Sequence, residues 1–184
     1  ARNYWVKDSI IVYEDTRFNS VNVYYDGKTY ELYRSVGDVD TPDFIGENIV
    51  AFRDNGNFNK VFWRGKIYDL DVWHNRFEYQ GGTDMIAFND PINGTFAIFE
   101  KGKFLDVEQF HVTNYKVGRG FVVYESRNGD IMYYGNGIKK QISNKIIDLG
   151  PIPNEADMKF DKIMKKLKYL KKMSSHEEYN WSPG

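Results

Sequence analysis

Three aspartates close short apolar runs in register. Asp15 follows Ile10-Ile11-Val12-Tyr13-Glu14, Asp54 follows Ile49-Val50-Ala51-Phe52-Arg53, and Asp90 follows Met85-Ile86-Ala87-Phe88-Asn89. Carboxylates gathered around a funnel would suit glycosidic cleavage, in which one acid protonates the leaving oxygen and a second acts as base or nucleophile. That chemistry needs two carboxylates in different environments, and nothing in the spacing separates these three. Each stands just beyond a strand-like run, where an Asp side chain hydrogen-bonds the backbone of a turn. Turn formation is therefore the stronger reading. Two histidines, His74 and His111, also recur, 37 residues apart and each behind an aromatic, Trp73 or Phe110. A metal site would need a third ligand at matching spacing, and none stands out. The pair reads as loop histidines and His176 as a surface residue.

Other chemistry is scarce. Cysteine is absent, which removes disulfides, thiolate metal sites and Cys nucleophiles together. Asp54-Asn55-Gly56-Asn57 begins like a calcium loop but lacks the ligand spacing and the closing Glu. Gly118-Arg119-Gly120 lacks the third glycine of a dinucleotide loop. The expectation is a protein that is not an enzyme, with no catalytic residue, no metal and no cofactor.

The elements that hold these residues repeat. With Phe121-Val122-Val123-Tyr124-Glu125-Ser126 there are four apolar openings, and their aromatics Tyr13, Phe52, Phe88 and Tyr124 stand 39, 36 and 36 residues apart. Ten residues or so later each repeat has a second landmark at Gly27, Gly65, Gly102 and Gly137, spaced 38, 37 and 35. Asp26-Gly27 and Asn136-Gly137 are strong type I′ hairpin signals, because both central residues of that turn need positive φ; Arg64-Gly65 and Lys101-Gly102 are weaker forms of it. Strands of alternating character follow, such as Ile67-Tyr68-Asp69-Leu70. An aromatic fourth segment then leads into the next glycine, as in Asp43-Phe44-Ile45-Gly46. Two landmarks on one period of about 37 residues predict an all-β fold. Its units would be four-stranded antiparallel blades of a propeller, or a β-solenoid-like stack of similar period. Phe62–Trp73 would supply the two inner strands of one blade. Asn3-Tyr4-Trp5-Val6 matches the fourth segment, so the chain is expected to begin near the end of a unit whose earlier strands are missing. The four units would form a small ring or part of a longer array.

Segment 1–147 is thus read as the β-repeat domain, 148–153 as a Pro-rich linker, 154–173 as a basic amphipathic helix and 174–184 as a polar tail with aromatics. Asn154-Glu155-Ala156-Asp157 resembles a capping box. Phe160, Ile163, Met164, Leu167 and Leu170 fall at helical spacing among lysines, a face that would dock on the domain or a partner protein, or rest on anionic lipid. Tyr179 and Trp181 could anchor the tail in a neighbour. The aromatics Tyr25, Trp63 and Trp73 read as blade-to-blade packing, as a protein interface or as platforms for carbohydrate. With 25 basic and 26 acidic residues, net charge −1, the chain is not expected to bind nucleic acid. No stretch approaches the roughly 20 apolar residues of a membrane helix.

Gly46-Glu47-Asn48-Ile49-Val50-Ala51-Phe52-Arg53-Asp54, followed by Lys60-Val61-Phe62-Trp63-Arg64-Gly65-Lys66-Ile67-Tyr68-Asp69-Leu70, resembles the repeats of uncharacterised β-propeller-like proteins of the Bacteroidota cell envelope. The resemblance covers about residues 3 to 142 and implies an exported repeat domain, periplasmic, outer-membrane-associated or extracellular, with no catalytic residues to carry over. The expected function is a non-catalytic scaffold that binds other protein subunits in an envelope complex for secretion, motility or assembly. The alternatives are a carbohydrate-binding or carbohydrate-active propeller, and a peripheral membrane binder through the lysine-rich helix.

Overall fold

A type I′ turn joins two strands without splaying them, and the chain uses it once in every repeat. The residues before and at the four landmark glycines all have positive φ: Asp26 49° and Gly27 78°, Arg64 49° and Gly65 76°, Lys101 53° and Gly102 78°, Asn136 51° and Gly137 76°. Arg64 and Lys101 hold the left-handed conformation that Asp and Asn adopt more readily.

The computed structural model describes residues 3–37, 39–73, 76–143 and 147–151. They fold into four antiparallel meanders. The first sheet runs β1 (Tyr4–Lys7), β2 (Ile10–Asp15), β3 (Ser20–Tyr25), β4 (Lys28–Arg34), and the second runs β5 (Phe44–Gly46), β6 (Ile49–Arg53), β7 (Phe58–Trp63), β8 (Lys66–Trp73). The third holds β9 (Tyr79–Gly81), β10 (Met85–Asp90), β11 (Thr95–Glu100), β12 (Lys103–Glu108). The fourth holds β13 (Tyr115–Val117), β14 (Phe121–Glu125), β15 (Ile131–Gly135), β16 (Ile138–Gln141) and an added edge strand β17 (Ile147–Pro151). The helix and tail segments, with Phe160, Ile163, Met164, Leu167, Leu170, Tyr179 and Trp181, lie outside the described residues, as do His74 and His176.

Three features differ from the sequence reading. The aromatic fourth segment is the first strand of the next sheet: Tyr4 pairs with Tyr13, Phe44 with Ala51 and Tyr115 with Tyr124. Residues Tyr4–Lys7 therefore complete a four-stranded sheet, because the Asp8 turn, φ 57°, folds them straight back on β2. Second, Phe62–Trp73 spans the end of β7 and all of β8, the third and outermost strands of their sheet. Third, the segment read as a linker from 148 starts inside β17, which pairs antiparallel with β16. Pro151 is the last residue of an edge strand, the part of a sheet where proline is found.

The short first strands lie side by side. Glu47 and Thr83 form a parallel bridge, the amide of Asn48 donates to the Lys7 carbonyl at 3.2 Å, and that of Asp84 to the Glu47 carbonyl at 3.0 Å. At Gly82 a Cβ would stand 1.8 Å from the Gly118 carbonyl oxygen, so backbone touches backbone between the third and fourth sheets.

Between these strands and the outer edges, side chains of adjacent sheets interlock. Ile10, Val12 and Val23 of the first sheet meet Val50, Phe52 and Phe62 of the second. Ile49, Ala51 and Val61 on its other face meet Ile86 and Phe99 of the third, whose Met85, Ala87 and Ile98 meet Val122, Tyr124 and Met132 of the fourth. Consecutive residues are fully buried on opposite faces, as covered sheets require.

Gly27 has open space around it, so Gly27→Ala should lose only the left-handed backbone term, about 1–2 kcal/mol. Gly82→Ala should cost clearly more or prevent folding, since the Gly118 backbone must move. Urea denaturation of both variants checks this, and equal losses would refute the close approach.

Candidate functional site

All three recurring aspartates are engaged by the turns they start. Asp15 Oδ1 accepts from the Arg17 amide at 3.0 Å, Asp54 Oδ1 from the Gly56 amide at 2.9 Å, and Asp90 Oδ1 from the Ile92 amide at 2.8 Å. Their second oxygens meet Arg17 at 3.1 Å, Lys60 at 3.4 Å and the Asn93 side-chain amide at 2.7 Å. The repeat thus spaces these carboxylates as turn acceptors. His111 Nε2 donates to the Asp90 carbonyl at 2.8 Å and ties a connecting loop to such a turn.

Strand alternation sends the members of each aromatic pair to opposite faces. Tyr25 points to the second sheet, its ring edge-on to Phe62 at 6.4 Å. Trp63 points to the third: its ring stands 6.1 Å from Phe99, its Nε1 donates to Asp84 Oδ1 at 2.9 Å, and Arg64 lies over it at 4.8 Å. Trp73 is different. It ends β8, is 58% exposed, and donates Nε1 to the Gly56 carbonyl at 2.9 Å.

One group of ionisable residues was invisible in the sequence. Glu108 is buried between the third and fourth sheets, where its Oε2 accepts from the Tyr124 hydroxyl at 2.7 Å and its Oε1 from Lys139 Nζ at 3.0 Å. Lys139 also donates to the Val107 carbonyl at 2.9 Å. Burial and the adjacent Glu108 carboxylate push the Tyr124 phenol well above its ordinary pKa, which keeps it a neutral donor. Lys139 beside Lys140 looks like a solvated strand; its acid is 31 residues away. Removing one member of such a pair strands a charge, so Lys139→Met should cost about 3–5 kcal/mol. Adding Glu108→Gln to it should recover part of the loss; a double variant no better than the single would contradict the pairing.

Residues 1–148 match the sequence profile of the 10-bladed beta propeller domain. The chain belongs to that family. Among solved structures it is similar to the computationally designed Ika8 protein, at 17% identity and a TM-score of 0.37 over 81% of this chain and 57% of that one. No curated protein matches.

The four sheets are propeller blades, and one seam between them is incomplete. Tyr30 of the first blade lies on Phe62 of the second at 5.1 Å, and Tyr68 of the second on Phe99 of the third at 5.0 Å. Each caps the next hairpin: a Cβ on Gly65 would stand 2.9 Å from the Tyr30 hydroxyl and one on Gly102 3.0 Å from that of Tyr68. The third blade has Leu105 at this position. It is too short to reach Gly137, and a cleft of about 400 Å³ opens between Leu105, Tyr134, Glu100 and that turn. Leu105→Tyr should fill it and raise stability by about 0.5–1.5 kcal/mol, the worth of an added ring pair. A lower thermal midpoint would show that the cleft cannot take the ring.

The meander puts the turns after each second strand, and the links after each fourth, on one rim. Phe18 is 53% exposed there and Ile92 61%, with Phe58 and Trp73 paired at the same end of the second blade. Arg17 and Arg34 lie over the Phe18 ring at 5.4 and 5.5 Å. Beside it runs a groove of about 420 Å³ lined by Arg34, Asp40, Asp43, Arg53 and Asn55. Of these rim residues only Trp73 carried a readable signal; Phe18 and Ile92 belong to turns that do not repeat.

Proposed function

We propose that the chain is a non-catalytic scaffold whose loop rim binds another protein subunit in a bacterial envelope complex. The rim carries this reading. Phe18, Phe58, Trp73 and Ile92 stand exposed at one end of three successive blades, with Arg17 and Arg34 over the Phe18 ring and a polar groove beside it. Exposed rings, aliphatics and arginine set among satisfied polar groups are the composition of a protein interface. The engagement of Asp15, Asp54 and Asp90 in turns supports a binding role over catalysis. The envelope setting rests on the resemblance of the repeats to envelope proteins, with a periplasmic or outer-membrane-associated location.

In extracts of its native cells the tagged chain should elute with other subunits at a larger size than the purified protein forms alone. Phe18→Ser, Trp73→Ser and Ile92→Ser together should abolish that assembly without lowering the thermal midpoint appreciably. Elution at the purified size in extracts would sink the scaffold reading. Recovery in the cytosolic fraction would sink the envelope part alone.

A further inference from the structure

We infer that the cleft between the third and fourth blades is a binding slot for a phenolic ring brought from outside the chain. It opens at the end of the blades that carries the landmark hairpin turns, opposite the loop rim, and so is independent of the scaffold reading.

The two preceding seams show what the slot is built to hold. In each, two rings of one blade flank an aromatic of the next. Tyr25 and Tyr30 of the first blade stand 6.4 and 5.1 Å from Phe62. Trp63 and Tyr68 of the second stand 6.1 and 5.0 Å from Phe99. The first ring of each pair lies two residues before the hairpin glycine, and the other lies three after it. In the third blade those places hold Glu100 and Leu105, while the fourth blade still offers an aromatic, Tyr134, only 3% exposed. The register makes the positions equivalent: Tyr30 faces Val23, Tyr68 faces Val61 and Leu105 faces Ile98. This seam keeps the seat and lacks both rings.

The turn beneath the seat is correspondingly bare. A Cβ on Gly65 or Gly102 would meet the Tyr30 or Tyr68 hydroxyl at 2.9 or 3.0 Å, whereas one on Gly137 would meet no described atom within 4 Å. The cleft measures about 400 Å³, and an apolar cavity of about 150 Å³ already holds benzene.

Its walls suit a ring that carries a hydrogen-bond donor. Ile98, Leu105 and Tyr134 supply apolar surface. Glu100 supplies an acceptor: burial holds its carboxyl above the ordinary carboxylate range, and a donated bond offsets that loss of water. The same seam already contains such a bond, from the Tyr124 hydroxyl to Glu108 at 2.7 Å. Lys103, also on the wall, takes the place of Lys66, whose ammonium lies 5.2 Å from the Tyr68 ring centre. It stands ready for the same cation–π contact with a ring seated beside Leu105. An aliphatic occupant would use neither Glu100 nor Lys103, and Glu100 would repel an acid.

Titration of the 184-residue chain with p-cresol, the tyrosine side chain by itself, should give a Kd of about 1 mM or tighter. It should also shift the methyl NMR signals of Ile98 and Leu105. Toluene, the same ring without the hydroxyl, should bind about tenfold more weakly. Leu105→Tyr fills the slot from within and should weaken p-cresol by about tenfold or more. Glu100→Trp, which supplies the second blade's other ring, is a second block that leaves Leu105 in place. Comparison with N-acetyl-tyrosine amide separates the sources: tighter amide marks the tyrosine of a partner chain, tighter p-cresol a free phenol, and either supports the slot. Absence of shifts at Ile98 and Leu105 overturns the proposal, as does p-cresol binding that both blocking variants leave intact. Toluene binding as tightly as p-cresol overturns the choice of a phenol. Phe18→Ser, Trp73→Ser and Ile92→Ser together should leave p-cresol binding unchanged, so this inference and the scaffold reading fail separately.

Discussion

Every repeat in this chain makes a sheet that is apolar on both faces, and the rest of the structure follows from that. Three consecutive residues such as Ile49, Val50 and Ala51 are fully buried, which a half-exposed sheet cannot offer because alternate residues would face water. Fully burying one such aliphatic or aromatic side chain contributes about 1.5–3 kcal/mol, and a seam here gathers several from each side. A tight turn contributes far less. A repeat on its own would leave one or both faces wet, so stability belongs to the seams between blades rather than to the blades.

The seams also dictate the special residues. Sheets packed face to face and fanned around a common side must bring their first strands close together, and Gly82 against the Gly118 carbonyl marks how close. Toward the outer edge the same fanning opens space that Tyr30 and Tyr68 fill and Leu105 does not. A seam filled only with aliphatics would tolerate neighbours in more than one register. The Glu108–Lys139–Tyr124 contacts add directional bonds to the seam between the third and fourth blades, and a buried ion pair is better suited to fixing which surfaces meet than to strengthening their adhesion.

The period and the turns were legible because they depend on local chemistry. A positive φ calls for Gly, Asp or Asn at one fixed place, and a short apolar run marks a strand wherever it lies. Pairing was less legible. The place of Tyr4–Lys7 and its counterparts in the repeat suggested the end of a unit, whereas a short turn, at Asp8 in the first sheet, folds each of them onto the strand that follows. Face assignment was hidden for a different reason: with both faces apolar, alternation distinguishes neither, so Tyr24 and Tyr25 look alike although Tyr25 packs half-buried against the second sheet and Tyr24 opens to solvent. Lys139 shows the limit most clearly, since a lysine in a strand reads as solvated until its distant acid is placed against it.

The repeats hold the seam residues constant in character and let the rim turns vary. Val50, Ile86 and Val122 are interchangeable, whereas the turns Thr16-Arg17-Phe18-Asn19, Asn55-Gly56-Asn57, Pro91-Ile92-Asn93-Gly94 and Asn128-Gly129-Asp130 share little beyond the conformation they must adopt. A seam residue is constrained by two sheets at once, so any change must suit both. A rim residue answers only to its own turn, and beyond that it is free to answer to something outside the chain. Recognition in such a fold is therefore carried by what fails to repeat, on loops that a rigid scaffold positions.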